Sequence, residues 1–289
     1  RRHIARARGI ASMGLTEYDQ AVQYFTEALE LSDGWVQNVD YDMNYYLAAA
    51  YRKNGQPAEA KKVYDAILGL KPEEKDAYFL RGSAELELGD YESAKADFDK
   101  AISMDPKNYD RLIEIYEALA DYGYREVGQE YLQNVLNTDK KLDAYDSGRI
   151  YYYLGDYQKA YLALEEAKGK GGVDSYLYLG KAYAATGDYN YASSVYSNYL
   201  SKQGPDAEIY NQLGLCELAK KDYQKALEAF QAGKQIEGNS LMQTLSFNEI
   251  VAYEYLQDYQ KAAVLLKAYL QNYPDDQAAI REQQFLSTR

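Results

Sequence analysis

Apolar residues recur at spacings of three and four along most of the chain, in pairs of stretches separated by a short polar turn. This spacing places the apolar side chains on one face of an α-helix, whereas a half-buried strand would show strict alternation. Three turns contain Gly-Asp-Tyr, in GDYESA at 89, GDYQKA at 155 and GDYNYA at 187. The pattern therefore predicts a series of helical hairpins.

The turn recurs eight times. Its glycine, or the residue that replaces it, stands at 16, 55, 89, 123, 155, 187, 221 and 257, at intervals of 32 to 39 residues. Such a period predicts a repeat array in a single domain over 1–289. The predicted units are 2–35, 41–74, 75–108, 109–140, 141–172, 173–206, 207–240 and 243–276, followed by a closing helix at 277–289. Trp35, in the longest insertion, is interpreted as a plug over the end of the array, with an exposed anchor as the alternative.

Small and large residues hold fixed places in each unit. A small residue stands nine positions before the turn tyrosine in six units, at Gly9, Ala48, Gly82, Gly148, Gly180 and Gly214. Large apolar residues follow the turn tyrosine by seven positions, at Phe25, Tyr64, Phe98, Leu132, Leu164, Tyr196, Phe230 and Leu266. We expect the small residues to let two helices approach and the large ones to fill the space between them. The fourth unit departs from this pattern, with Tyr116 and Gly128 at its two small-residue positions.

The succession of small residue, tyrosine, alanine, large apolar residue and proline in units of about 34 residues resembles the tetratricopeptide repeat. This resemblance implies an all-α, right-handed superhelical solenoid of about eight helix-turn-helix repeats, whose first helices line a concave groove. The family's first-helix tryptophan is missing. Its positions here hold Ala5, Asn44, Tyr78, Leu112, Ala144, Tyr176, Tyr210 and Ser246.

Charge and composition narrow the classes of partner. The net charge of −13 produces a field that repels phosphate, so nucleic-acid binding is not expected. No apolar run approaches the roughly 18 residues that cross a bilayer, so no membrane span is predicted in this chain. The single cysteine is compatible with a cytoplasmic and with an extracytoplasmic location. Because residue 1 begins almost at the first helix, we expect an upstream segment to cover that helix, and a targeting leader such as that of a bacterial lipoprotein fits the same place.

Catalytic chemistry is not predicted. His3 is the only histidine and lies in a terminal turn, which cannot hold the hydrogen bond between a nucleophile and its base. Cys216 stands where other units have alanine, so it is interpreted as a small packing residue. KGKGG at 168–172 lacks the residue order of a phosphate loop and the strand that precedes one. We therefore predict no catalytic residue, no metal, no cofactor and no enzymatic activity.

The candidate binding face consists of first-helix positions that vary between units. The acidic residues at the second position of each unit are set aside, because they complement the amides at helix starts. Rigid rings with scattered cations suit a protein or peptide partner. The predicted contact residues are Tyr145, Arg149, Tyr152, Tyr153, Lys181, Tyr45, Arg52, Lys53 and Phe79, and the densest patch is Tyr145, Arg149, Tyr152 and Lys181. Tyr151 and Tyr157, by contrast, occupy repeat positions and are predicted to be framework.

The predicted function is a non-catalytic scaffold or adaptor that binds a peptide or partner protein in the concave groove. One alternative is the regulatory or sensor half of a larger protein, peptide-sensing or enzyme-associated, and another is a self-assembling structural protein. A third reading is that the tyrosines only reflect a chain that contains 34 of them. Some family members grip a C-terminal carboxylate with a lysine and an asparagine one helical turn apart. No unit here has that pair, so such a clamp is not expected.

Overall fold

The computed structural model describes residues 1–32 and 36–288, which form helices and no strands. Trp35 lies outside the described residues, so its packing stays a prediction. The chain divides into two compact units, Arg1–Val135 and Leu136–Arg289. The expectation of one continuous domain over 1–289 stays a prediction as well.

The first unit contains four helical hairpins. Its helices are α1 Arg2–Gly14, α2 Tyr18–Glu30, α3 Asn38–Lys53, α4 Pro57–Leu70, α5 Lys75–Glu87, α6 Tyr91–Met104, α7 Tyr109–Asp121 and α8 Arg125–Thr138, of which α8 crosses the unit boundary. The second unit contains α9 Ala144–Tyr153, α10 Tyr157–Glu166, α11 Val173–Ala185, α12 Tyr189–Gln203, α13 Ala207–Ala219, α14 Tyr223–Lys234, α15 Met242–Tyr255, α16 Tyr259–Asn272 and α17 Gln277–Leu286. The predicted all-α array of hairpins with a closing helix is confirmed.

The Gly-Asp-Tyr turn has a local physical cause. Every predicted turn residue has a positive φ, including the three that are not glycine: Thr16 at 60°, Lys221 at 65° and Gln257 at 62°. This left-handed conformation costs glycine little because it has no Cβ. The aspartate that follows caps the second helix, as Asp90 does by accepting a hydrogen bond from the Ser93 amide at 3.2 Å. Glycine thus makes the turn and aspartate starts the helix.

The small and large residues pack as their spacing predicts. A Cβ added at Gly9 would lie 2.6 Å from Cε1 of Phe25, and every large residue of the predicted series is buried. In the fourth unit the sizes are exchanged between the two helices. Tyr116 takes the first-helix position, and a Cβ at Gly128 of the second helix would lie 2.9 Å from its Cδ2. The glycine therefore makes room for a ring in either direction.

Proline stands just beyond three second helices. Pro72, Pro106 and Pro274 lie two residues after the ends of α4, α6 and α16. Proline cannot donate the backbone hydrogen bond that a helix needs to continue. The repeat boundaries at these places follow from that restriction.

Candidate functional site

A groove of ≈ 790 Å³ opens on the first helices of the first unit. It lies mainly on α3, with α5 at one side and Tyr64 of α4 at its base. We call it the α3 groove, and its lining residues are Asp42, Tyr45, Tyr46, Ala49, Arg52, Lys53, Tyr64, Leu80 and Glu87. Its volume is in the range of pockets that hold a small ligand or a few peptide side chains. Three predicted contact residues, Tyr45, Arg52 and Lys53, line it together.

Aromatic rings form the floor of the α3 groove. The Tyr45 ring lies 6.3 Å from that of Tyr64, and the Tyr46 ring stacks on Phe25 at 5.4 Å. The Tyr45 hydroxyl is buried and has no hydrogen-bond partner among the described residues. Burial, and then the carboxylates of Glu74 and Asp76, raise the pKa of Tyr45 far above its ordinary value. The floor therefore consists of packed, uncharged rings. It contains one hydroxyl group, that of Tyr45, which donates no hydrogen bond to a described residue.

The rim of the α3 groove is charged. Arg52 Nε donates to Glu87 Oε1 at 2.8 Å, which joins α3 to α5 and neutralises both groups. Asp42 approaches Arg6 of α1 at 3.9 Å. Lys53 is exposed and forms no ion pair with any residue that the structure describes. Of the two described cations that line the groove, Arg52 is paired and the Lys53 amine is open to a partner.

Phe79, the fourth residue predicted in this unit, lies on α5 and does not line the groove. The guanidinium of Arg111 covers its ring at 4.0 Å, and Arg111 Nη2 is paired with Asp76 at 2.8 Å. Phe79 also lies 6.1 Å from Phe98 in the core. The guanidinium of Arg111, which belongs to the next first helix α7, therefore covers part of the Phe79 ring that a partner would contact.

The acidic residues at the second position of each unit do more than complement helix starts. Asp76 pairs with Arg111, Glu208 lies 3.6 Å from Lys181, and Asp42 faces Arg6. Each contact joins successive first helices, because a side chain in the first turn reaches the neighbouring helix. The three acidic residues thus pair with cations of the neighbouring first helices in addition to lying at helix starts, and whether they take part in binding stays a prediction.

In the second unit, three tyrosines of the stretch IYYYLGDYQKA form a cluster with Tyr178 of α11. The Tyr152 ring lies 5.5 Å from Tyr153, 5.7 Å from Tyr157 and 5.6 Å from Tyr178. The hydroxyls of Tyr153 and Tyr178 are 3.0 Å apart, within hydrogen-bonding distance. Framework and contact residues thus meet in one cluster, since Tyr157 touches a predicted contact residue.

The other predicted residues of this unit are held by close partners. The Arg149 guanidinium lies 4.4 Å from the centre of the Tyr145 ring, and its Nη2 donates to Asp146 at 2.5 Å. The Arg149 side chain is 9% exposed. Its guanidinium therefore packs against the Tyr145 ring and is little accessible to a partner. Lys181 of α11 pairs with Glu208 of α13 at 3.6 Å. The five predicted contact residues of the second unit lie on the first helices α9 and α11, namely Tyr145, Arg149, Tyr152, Tyr153 and Lys181. Their use in binding stays a prediction.

Sequence reasoning missed the sixth position of the repeat. Tyr46, Asp146 and Tyr178 occupy it in three units, and they line the α3 groove, pair with Arg149 and join the tyrosine cluster. The position varies in residue type as the predicted contact positions do, which was the available signal. The prediction missed this position because it considered one line of residues along a single helix. The surface is formed by two neighbouring first helices and includes residues to the side of that line.

Other chemistry is limited to a few groups. No cluster of three His, Cys, Asp or Glu residues that could hold a metal ion occurs in the described parts of the chain. Cys216 is buried, and burial, followed by the charge of Glu217, raises the pKa of its thiol to about 12. Among residues 1–32 and 36–288, no helix is both long and apolar enough to cross a bilayer.

Successive helical hairpins with a recurring turn define a helical repeat protein. A tetratricopeptide repeat family model matches residues 6–60, 45–109 and 177–240, more than half of the chain. A second tetratricopeptide repeat model matches 247–276. The chain belongs to the tetratricopeptide repeat family.

Curated relatives match over part of their length. The chain is 31% identical to the Hsp70-Hsp90 organizing protein of Triticum aestivum over 105 residues, which are 36% of this chain and 17% of that protein. It is 26% identical to tetratricopeptide repeat protein 21B of Xenopus laevis, over 94% of this chain and 19% of that protein. The chain thus spans less than a fifth of the length of these relatives.

Two solved structures share the fold. A tetratricopeptide repeat protein from Parabacteroides merdae ATCC 43184 superimposes with a TM-score of 0.53 at 14% identity, over 87% of this chain and 98% of that chain. The APC/C hetero-tetramer Cut9-Hcn1 gives a TM-score of 0.51 at 16% identity, over 98% of this chain and 55% of that chain. At these identities the likeness shows the fold alone.

Proposed function

We propose that this chain is a non-catalytic scaffold that binds a peptide or a partner protein on the surface of its first helices. The observation that carries the proposal is the α3 groove, which combines an aromatic floor with one open cation in ≈ 790 Å³. Rings on a rigid helix give contact area at a small cost in side-chain entropy. We expect an apolar side chain of the peptide to contact the groove beside Tyr45, Tyr46 and Leu80, which line it.

The groove charges favour a partner that carries an acidic group beside its apolar anchor. Arg52 and Glu87 neutralise each other at 2.8 Å, and Asp42 has Arg6 nearby. Lys53 remains without an acidic partner in the described chain, so a carboxylate placed over it gains a charge-assisted hydrogen bond. The overall charge of −13 slows the approach of such a partner and makes its binding weaker at low salt than the groove alone would allow.

The tyrosine cluster of the second unit is proposed as a second contact surface. Tyr152 and Tyr153 lie on α9 and Tyr178 on α11, so the cluster spans two neighbouring first helices. Tyrosine has an apolar ring and a polar tip, which suits a surface that alternates between free and bound states.

The relatives support a role in protein assembly. One similar protein is named an organizing protein of Hsp70 and Hsp90, a name that describes the bringing together of proteins. We carry over to this chain only the general role of bringing a protein partner to a repeat surface.

The test begins with a peptide selected from a random library displayed on phage and titrated onto the purified protein. Lys53→Glu should weaken its binding by about tenfold or more, because it replaces the open cation with a like charge. Lys62→Glu is the matched control, since it makes the same charge change on the second helix α4. Equal affinities of wild type and Lys53→Glu would overturn the assignment of the α3 groove.

The same titration is applied to the second surface. Lys181→Glu breaks the pair with Glu208 beside the tyrosine cluster, and Lys202→Glu on the second helix α12 is its control. A peptide that responds to Lys181→Glu and not to Lys53→Glu would locate binding on the second unit. Affinity that neither variant changes would contradict a role for the first helices in both units.

A further inference from the structure

One side of helix α1 is largely apolar and open to solvent. Ile4 and Leu15 are 59% and 66% exposed. The exposed residues on this side of the helix, which we call the α1 face, are Ile4, Ala7, Arg8, Ala11 and Leu15. Arg6, which approaches the rim of the α3 groove, lies on the opposite side of the helix, because it is two positions from both Ile4 and Arg8.

The equivalent face of other first helices is buried. Counted back from the turn residue, the position of Ile4 is taken by buried residues in five other hairpins, namely Met43, Ala77, Ser175, Ile209 and Leu245. The position of Ala11 is buried in the same five hairpins, at Ala50, Ala84, Ala182, Cys216 and Ala252. These positions therefore form a surface on which another helix packs, and residues as large as Met43 are accommodated there.

The helix that covers this surface is the second helix of the preceding hairpin. Ala77 and Ala84 of α5 pack in one cluster with Tyr64, Ile67 and Leu68 of α4. The same kind of cluster joins α3 to α2 and α15 to α14. A helix with an aromatic residue, followed three and four positions later by aliphatic residues, therefore matches the α1 face.

Arg8 adds a charge to the α1 face, and in two other hairpins the charge at this position is paired with the covering helix. The equivalent residue of α5 is Arg81, whose Nη1 donates to Asp65 of α4 at 2.8 Å. The equivalent residue of α15 is Glu249, which accepts a hydrogen bond from Lys234 of α14 at 2.6 Å. Charge at this position is thus neutralised across the contact between the two helices.

The hairpin of Arg8 offers it no carboxylate. Arg81 also donates two hydrogen bonds to Asp97 of its own second helix, but Tyr24 stands at the position of Asp97 in α2. The Arg8 guanidinium lies 5.8 Å from the centre of the Tyr24 ring and forms no ion pair with any residue that the structure describes. Covering Arg8 without a carboxylate would bury an uncompensated charge, so the covering helix must supply one.

We propose that the α1 face docks an amphipathic helix of a partner protein, which packs apolar side chains on Ile4 and Ala11 and places a carboxylate beside Arg8. Charge selects this occupant, because the face has a cation and no acidic residue, and contact between two copies of it would bring like charges together. The small residues Ala7 and Ala11 allow a helix to approach closely, which a lipid surface does not require. The proposal goes beyond the α3 groove, since it uses the opposite side of α1.

A peptide with the sequence of α4 tests this proposal, because α4 covers the equivalent face of α5. The peptide spans residues 57–70 and carries a fluorophore. A hydrocarbon staple between positions 58 and 62, which are exposed on α4, holds it helical. Its binding to the whole protein is followed by fluorescence anisotropy, and we expect a dissociation constant below about 100 μM. Absence of saturable binding at that concentration would overturn the proposal.

Exchange of charges identifies the site. Arg8→Glu should weaken binding of the peptide by about tenfold or more, and Asp65→Arg in the peptide should restore binding to this variant. Arg281→Glu on α17 is the matched control, since it makes the same charge change at an exposed position and should leave the affinity unchanged. Equal affinities of wild type and Arg8→Glu, or no recovery with the exchanged peptide, would contradict the assignment of the α1 face.

Three further measurements identify other occupants, and each positive result would overturn the proposal. In sedimentation velocity of the protein alone, dimers that Arg8→Glu dissociates would assign the α1 face to a second copy. Arg8-dependent binding to phosphatidylserine vesicles, without binding of the peptide, would assign it to an anionic membrane. A longer form of the protein that no longer takes the peptide would assign it to an upstream segment of this chain.

Discussion

Gly82 of α5 leaves the space that the Phe98 ring of α6 occupies. A Cβ added at Gly82 would lie 2.8 Å from Cε1 and 3.0 Å from Cδ1 of Phe98, closer than carbon atoms pack. Gly148 stands in the same relation to Leu164 at 2.5 Å, and Gly128 to Tyr116 at 2.9 Å. The spacing of the two helices in a hairpin is therefore set by the pairing of a glycine with a large side chain.

Gly82→Ala should destabilise the protein by roughly 1 to 3 kcal/mol, because the new methyl group overpacks a filled site. Chemical denaturation followed by circular dichroism measures the change. Gly69→Ala on α4 is the control, since nothing lies within 4 Å of the position of its Cβ. The free energy of unfolding of Gly69→Ala should rise by roughly 0.5 kcal/mol, because alanine has the higher helix propensity. If both variants lost the same amount of stability, the packing argument would be contradicted.

Lys221→Gly should stabilise the protein by roughly 1 kcal/mol. Lys221 has φ of 65°, a left-handed conformation in which a Cβ is strained and glycine is not. The reverse change, Gly187→Ala, should cost a similar amount, because Gly187 has φ of 83° at the equivalent turn. The urea concentrations at the unfolding midpoints of both variants test these two predictions. Midpoint shifts of the same sign in both variants would contradict the argument from backbone strain.

Glu85 should make stability depend on pH. Burial, and then the nearby Asp97, raise the pKa of Glu85 to about 7, above the ordinary value that it regains on unfolding. The folded protein therefore binds more protons than the unfolded chain between about pH 4.5 and 7. The contribution of Glu85 to stability thus decreases as pH rises through this range and is lowest above about 7.

Glu85→Gln removes this titration. Relative to wild type, it should gain roughly 2 to 3 kcal/mol of stability between pH 5 and pH 8, as measured by denaturation at each pH. Glu92→Gln, at an exposed glutamate of α6, should follow the wild-type curve. A constant difference between Glu85→Gln and wild type across this range would show that Glu85 does not titrate there.

Cys216 should be unreactive in the folded protein. Its thiol is buried and its pKa lies near 12, so the thiolate that attacks alkylating reagents is almost absent at pH 8. Iodoacetamide should modify the native protein at least about a hundredfold more slowly than the urea-unfolded chain. Similar rates in the two states would contradict a purely structural role for this cysteine.

The turns and the packing pairs could be predicted from sequence because their causes are local. Glycine at 89 and aspartate at 90 determine a left-handed turn and a helix cap through their own backbone and side chain. The fourth hairpin was harder, since the exchange of Tyr116 and Gly128 is visible only when both helices are compared. Repetition of one unit made these features recognisable.

The contacts of the candidate binding face were predicted less completely because several of its side chains pair with residues of a neighbouring helix. The partner of Arg52 is Glu87, one repeat further along, and Lys181 lies 3.6 Å from Glu208 of the next first helix. A helical stripe drawn on one helix does not show which neighbour neutralises a charge. For the same reason Tyr46 and Tyr178 were not predicted, although both contact the preceding first helix, at Arg6 and at Tyr152.

Photo-crosslinking tests the central claim most directly. A display-selected peptide that carries a benzophenone group is bound to the protein, irradiated, and its attachment sites are mapped by mass spectrometry. The account predicts crosslinks to first helices, at residues such as Tyr46 and Ala49 of the α3 groove or Tyr178 of the tyrosine cluster. Crosslinks confined to exposed apolar residues of second helices, such as Leu162 and Val264, would contradict it.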